Sequence, residues 1–242
     1  MPPLHRRLEA STISVKVADA LREAIVRGEL RPGESITQDS VAKRFAVSTM
    51  PAREALLALS KEGMIDARPN RGFRVVRMAK ADVEDIYWAQ GVVAGRLTRR
   101  ACERSSADFV AELDDNYRSM ELALEAGDSE EVEYLSRQFH RTVNLIADSP
   151  KLVALLKMTA GQIPRHFYTR ILLVQDWGII SLQQHAEMIT AFRRKRLKAA
   201  ESIAIEHVAT AGRIMIDYLE SQGFWDGYLE ESTLTVAPDP VR

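Results

Sequence analysis

A helical repeat of apolar residues governs nearly all of this 242-residue chain, and it is broken only once. Directly after Gly63, the segment MIDARPNRGFRVVRM alternates apolar and polar residues, with Ile65 before the turn PNRG and Phe73 and Val75 after it. That alternation predicts a β-hairpin, because successive strand side chains point to opposite faces. Upstream, Val17, Leu21 and Ile25 recur every four residues in VADALREAIVRGELRPGESI, an amphipathic helix closed by a turn. TQDSVAKRFAV then places Val41, Ala42 and Phe45 on one face of a short helix. In STMPAREALLALSKEG, Ser48 is the expected N-cap, Pro51 falls in the tolerant first turn and Gly63 marks the stop. Two short helices followed at once by a hairpin tipped by Asn70, Arg71 and Gly72 make a winged helix-turn-helix, assigned to residues 10–78.

Beyond Met78 no strand signal survives. Val83, Ile86, Tyr87, Val93 and Leu97 form one face, and Phe109, Leu113, Tyr117, Met120 and Leu124 a second. Gly127 stops that helix and Ser129 is the expected cap of a third, which buries Val132, Leu135, Phe139, Val143 and Ile146 before Pro150. A fourth helix from Leu152 is interrupted near Pro164 and resumes at Phe167 and Ile171. Ile180, Met188, Ile189 and Phe192 mark a fifth, and Ile203, Ile214 and Tyr218 a sixth. The fold class is therefore mainly α: a winged helix followed by an all-α bundle of roughly six helices over residues 79–222, with a frayed tail at 223–242.

Composition narrows the partners. A single cysteine, Cys102, excludes a disulfide framework and a cysteine-based zinc ribbon, and it fits the cytoplasm. No apolar run approaches the ~18 residues of a membrane span, and MPPLHRRLEAST lacks the centre of a secretion signal, so no membrane association is expected. The net charge of −1 hides an asymmetry: residues 1–78 carry 14 Lys+Arg against 9 Asp+Glu, leaving 19 against 25 for the rest. The basic N-terminal third is the part suited to a polyanion.

The stretch VRGELRPGESITQDSVAKRFAVSTMPAREALLALSKEGMIDARPNRGFRV strongly resembles the DNA-binding domain of GntR-family bacterial transcription regulators. Its PG turn, its VS..P.REAL helix and its RG wing all stand in register. The bundle resembles the FCD type (FadR C-terminal domain) through Phe139–His140, HAEMITAF at His185 and EHVATA at His207. The resemblance implies a dimeric regulator, expected to be a repressor, of double-stranded operator DNA. Ser48, Thr49 and Arg53 on the recognition helix, with Arg71 and Gly72 in the wing, become the expected DNA-contacting residues. In the family, the Arg at position 53 touches DNA; the rival reading is a surface Arg paired with Glu54 or Glu62. Family members usually carry Arg where this chain has Thr49, so its operator is expected to depart from the common one.

Three histidines, His140, His185 and His207, sit within separate amphipathic stretches. Each alone reads as a core histidine. FCD proteins of the metal-binding type use three histidines in these positions for a divalent cation, with zinc expected. His185 and His207 lie 22 residues apart, ~33 Å along one straight helix, so a joint site requires a helical hairpin at RRKRLK. The family's carboxylate four residues before the first histidine is here Ser136, a poor zinc ligand. Ser136, His140 and Asn144 form a polar line beside the apolar stripe, either a helix edge or a pocket wall. An effector-holding Arg of the family's first bundle helix corresponds to Gln90, which cannot neutralise a carboxylate. Gln90, Ser136 and Asn144 are thus the expected effector-pocket residues, with a small carboxylate as effector. Two rival readings remain, a purely structural metal and a metal-dependent hydrolase. The hydrolase lacks an HExxH motif, paired carboxylates or an evident base, so the chain is not expected to be an enzyme.

Overall fold

Apolar spacing in the first helix builds the N-terminal core. In the computed structural model, which describes residues 4–69, 71–171, 174 and 177–226, α1 (Leu4–Val26) buries Val17, Leu21 and Ile25 along one face. α2 (Gln38–Phe45) starts at a capping box: Ser40 N donates to Thr37 Oγ1 at 3.1 Å, and Thr37 N donates to Ser40 Oγ at 3.2 Å. α3 (Thr49–Lys61) buries Ala52, Ala55, Leu56 and Leu59 and ends before Gly63 at φ +76°. Ser48 occupies its N-cap position in extended backbone, but its side chain makes no capping hydrogen bond.

The hairpin is present as β2 (Ile65–Arg68) and β3 (Gly72–Val75), antiparallel with Ile65 opposite Val75. A short strand, β1 (Ser35–Ile36), pairs with the other edge of β3, giving the order β1-β3-β2. Two residues are too few to register a period, so β1 was not foreseen. At Gly72, φ is +78° and a Cβ would stand 2.7 Å from the Ile36 carbonyl oxygen, so this position requires glycine. Asn70, at the expected wing tip, lies outside the described residues.

Among the described residues seven helices follow: α4 (Lys80–Arg104), α5 (Ala107–Glu125), α6 (Ser129–Ala147), α7 (Pro150–Ala160), α8 (Arg165–Ile171), α9 (Trp177–Arg193) and α10 (Leu197–Ser221). The expected fourth helix divides because Pro164 disfavours helical backbone at the residue before it. His166 accordingly lies on α8 and not in irregular chain. Asp128, not Ser129, caps α6, accepting from Glu131 N at 3.0 Å. On α9 the expected Met188, Ile189 and Phe192 are buried, joined by Ser181 and His185, while Ile180 is 36% exposed. The RRKRLK turn joins α9 to α10 with Lys195 at φ +50° in place of a glycine. The Lys195 ammonium donates to the carbonyls of Cys102 and Ser105 at the end of α4, which anchors the turn.

Packing runs across the change of architecture at residue 78. One apolar cluster joins α1–α3 to Val83 and Tyr87 of α4, Phe167 and Ile171 of α8, and Met215, Ile216 and Leu219 of α10. A second fills the bundle around Leu97, Leu113, Phe139 and Phe192. Gly212 lets α10 approach α4, since a Cβ there would lie 2.7 Å from Tyr87 Cγ. The first residues of the expected frayed tail are packed: Phe224 is buried against Phe167, and Trp225 Nε1 donates to Met78 O at 2.9 Å. Residues 227–242 lie outside the described residues.

Candidate metal centre, effector chamber and DNA-facing surface

Helical spacing turns one histidine inward from each of three helices. His140 on α6, His185 on α9 and His207 on α10 bring ring nitrogens within 4.8 Å of one another. The Nε2 atoms of His140 and His185 stand 3.2 Å apart. His207 Nδ1 meets Gln184 Oε1 at 2.9 Å; an amide oxygen only accepts, so Nδ1 carries the proton and Nε2 is bare. Trp177 stacks on the His207 ring at 5.5 Å.

Burial keeps these rings neutral. It pushes His140 down to about 4 and His207 to about 3, with the His140 ring adding to the effect on His207. Burial, then the two neighbouring rings, holds His185 well below its ordinary value. As a residue His140 is only partly buried, because one side of it lines a chamber. Three neutral imidazoles with converging lone pairs, one oriented by an amide behind it, are a donor set that suits a divalent cation.

A chamber of about 390 Å³ opens beside His140 and His207 between α4, α6, α7, α8 and α10. Gln90, Ser136 and Asn144 all line it, so the polar line on α6 is a wall of a pocket. Gln90 is buried and its Nε2 donates to Tyr168 Oη at 3.3 Å, whose hydroxyl donates onward to Ala160 O at 3.3 Å. The sequence reading missed Thr98, Tyr168 and the Glu133–Arg137 ion pair, which also line the chamber. Four residues apart on a helix, Glu133 and Arg137 have the spacing of an ordinary surface pair, which conceals the role.

At the other end of the molecule, Ser48, Thr49 and Arg53 are all exposed on the first turns of α3. Among the described residues Arg53 makes no ion pair; Glu62, its supposed partner, accepts two bonds of 2.9 Å from Arg22. Arg71 is exposed beside the wing, where Ser35, Arg68, Arg71 and Arg74 surround a notch of about 360 Å³. Arg74 Nε is buried there with no hydrogen-bond partner among the described residues. Arg68 and Arg74 escaped the sequence reading because strand alternation marks them only as outward-facing.

Residues 13–75 match the family described as bacterial regulatory proteins, gntR family, and residues 85–210 match the FCD domain. The chain belongs to the GntR family. It is similar to the HTH-type transcriptional repressor RspR of Escherichia coli K12, 24% identical over 196 residues, which cover 81% of this chain and 86% of that protein. Its fold is similar to that of Lar, described as controlling expression of the Listeria monocytogenes agr system. That likeness has TM-score 0.64 at 16% identity, covering 84% of this chain and 95% of the other. The E. coli protein McbR/YncC gives 0.54 at 20% identity, covering 87% and 98%. This GntR protein is a DNA-binding transcription regulator whose C-terminal half is an FCD domain.

Proposed function

We propose that this GntR regulator is a homodimeric, ligand-responsive repressor whose FCD domain holds a divalent metal, zinc by its donor set, beside a small carboxylate effector. The observation that carries this reading is the meeting of three neutral imidazoles at the wall of a chamber that a DNA-domain contact also reaches. A metal bound there supplies positive charge and a Lewis-acid centre for an anionic oxygen. Ser136 and Asn144 are placed to orient the remaining polar atoms of the ligand. A purely structural metal needs no chamber, so the chamber favours a sensor. Among the described residues Glu133 is the one carboxylate lining that chamber, and it is paired with Arg137, which disfavours a hydrolytic base there. We therefore read the chain as a regulator without enzymatic activity, acting in the cytoplasm on DNA.

Response to a ligand needs a path to the DNA-binding domain, and α8 supports one. Tyr168 lines the chamber, while its neighbour Phe167 packs edge to face on Phe224 in the core shared with the winged helix. Arg170 is ion-paired with Glu23 of α1. Burial, then the Arg22 guanidinium of α1, pushes His166 at the start of α8 down to about 4. A ligand that displaces Tyr168 thus displaces a helix bonded to the DNA-binding domain. To act as a switch it must favour one of the two arrangements.

The dimer reading rests on α7, where Leu155 and Met158 are exposed while Leu152, Val153 and Leu156 pack against the bundle core. On the adjoining α4, Trp88 and Val92 are exposed as well. Exposed apolar side chains of this size suit an interface. On DNA, two-fold symmetry would double the half-site read by a single α3. Metal analysis of untagged protein tests the site: about one equivalent per chain is expected, and full occupancy in a triple His→Ala variant of residues 140, 185 and 207 would overturn it.

A further inference from the structure

Most polar groups of the chamber are already engaged within the protein. Gln90 and Tyr168 donate in series to Ala160 O, and Glu133 neutralises Arg137. Among the described residues, Thr98, Ser136 and Asn144 make no side-chain hydrogen bond, and all three lie on α4 or α6, the helices that carry the His140 side of the wall. The other walls are mostly apolar, formed by Val143, Leu156, Ile171 and Val208 together with the rings of Tyr87 and Trp177. The exception is the Tyr87 hydroxyl, buried without a partner among the described residues. Ser136 and Asn144 flank His140 one helical turn away on either side, so free polar groups gather along the histidine wall of a lining that is otherwise chiefly apolar.

Resting on the effector reading above, we infer that the ligand is an aromatic monocarboxylic acid, with its carboxylate toward the histidines and its ring among the apolar walls. A tricarboxylate or a sugar acid would carry several polar groups against surfaces that return few hydrogen bonds, and each buried unpaired group weakens binding. An aromatic body has no such penalty and gains contact with Tyr87, Tyr168 and Trp177, side chains that pack well with other rings. Size agrees: a dry cavity of ~150 Å³ admits benzene. The chamber's 390 Å³ leaves room for a ring and a short acid arm. The four residues Tyr87, Gln90, Ala94 and Thr98 follow one another along α4 over ~16 Å, an elongated wall suited to a molecule with two unlike ends.

Calorimetry on the zinc-loaded, full-length protein tests this with 3-phenylpropionate, phenylacetate, citrate, tartrate and the neutral 3-phenylpropionamide. The aromatic acids should bind at least tenfold more tightly than citrate or tartrate, and at least tenfold more tightly than the amide. Val208→Thr, which adds a hydroxyl at nearly constant shape, should weaken 3-phenylpropionate about fivefold, the effect of placing a polar atom against an apolar ligand. Zinc content and ligand-free melting temperature of that variant should stay unchanged. Tighter binding of citrate or tartrate than of either aromatic acid would overturn the ligand class and leave the effector reading standing. Equal binding of amide and acid would overturn the placement of the carboxylate. Failure of every acid to bind protein that holds its zinc would overturn the effector reading itself.

Discussion

The Nε2 atoms of His140 and His185 stand 3.2 Å apart across the bundle, although 45 residues separate them in the chain. Both rings are held neutral by burial, so at most one of the two nitrogens donates to the other and the remaining lone pairs converge. A cation at this point replaces mutual crowding with coordination. Each of His140→Ala, His185→Ala and His207→Ala should lower zinc occupancy and remove the melting-temperature gain that zinc gives to native protein. Zinc titrations followed by thermal melts check this directly.

Acid should destabilise the metal-free protein through the same residues. The folded-state values of about 4 for His140 and about 3 for His207 lie below the ordinary 6.5. Unfolded chains therefore bind protons before the folded one does, and the sign follows: this contribution is whole above about 6.5 and is lost as pH falls toward 4 and then 3. Melting curves of chelator-treated protein between pH 7.5 and 4.5 should show a falling transition, steeper than in His140→Gln. Protons also compete with metal for imidazole, so zinc affinity should drop over the same interval.

Among the described residues Arg53 has no ion-pair partner, and Glu62 is taken by Arg22. Arg53→Ala should cost ~1–3 kcal/mol of operator binding if the guanidinium spans a base edge. A smaller, sequence-uniform loss with a shallower salt slope would identify a phosphate contact. Gel-shift titrations at several salt concentrations separate the two, and unchanged affinity would remove Arg53 from the interface.

The ion pair between Arg170 and Glu23 ties α8 to α1. As a partly exposed pair it adds little to stability, so Glu23→Gln should leave the melting temperature nearly unchanged. Its effect should appear in coupling: effector should bind as before yet shift operator affinity less. Equal shifts in variant and parent would place the path elsewhere.

Much of this architecture is written in local spacing. The winged helix was legible because Val17, Leu21, Val41 and Leu56 bury along short regular periods and Gly63 and Gly72 sit where the backbone needs φ > 0. The histidine cluster was legible only through family resemblance, since nothing in a helical period distinguishes a ligand from a core residue. Where two sites share one element the periodic signal fails. α8 turns Phe167 into the interdomain core and Tyr168 into the chamber, so neither face is uniformly apolar. Likewise Ser181 and His185 turn inward in place of Ile180, on the side of α9 where His185 meets His140. Phe224 and Trp225 were lost in a polar tail, and only the tertiary pocket beside Phe167 and Met78 explains their burial.

Exposed apolar residues on α7 give the dimer its own test. Met158 is 60% exposed and Leu155 39% exposed. A Leu155→Glu, Met158→Glu variant should sediment as a monomer, with weakened operator binding and an unchanged helical circular dichroism spectrum. A dimer of unaltered affinity would locate the interface on another face.

The central claim is that occupancy of the histidine-lined chamber controls DNA binding. Its most direct test is an operator titration of the zinc-loaded protein, on a duplex selected by the protein from a random pool, with and without saturating 3-phenylpropionate, repeated for His185→Ala. The account predicts at least a tenfold loss of operator affinity on adding the acid to the parent protein, and no change in the variant. Identical titration curves with and without the acid, in parent protein whose saturation is verified by calorimetry, would contradict it.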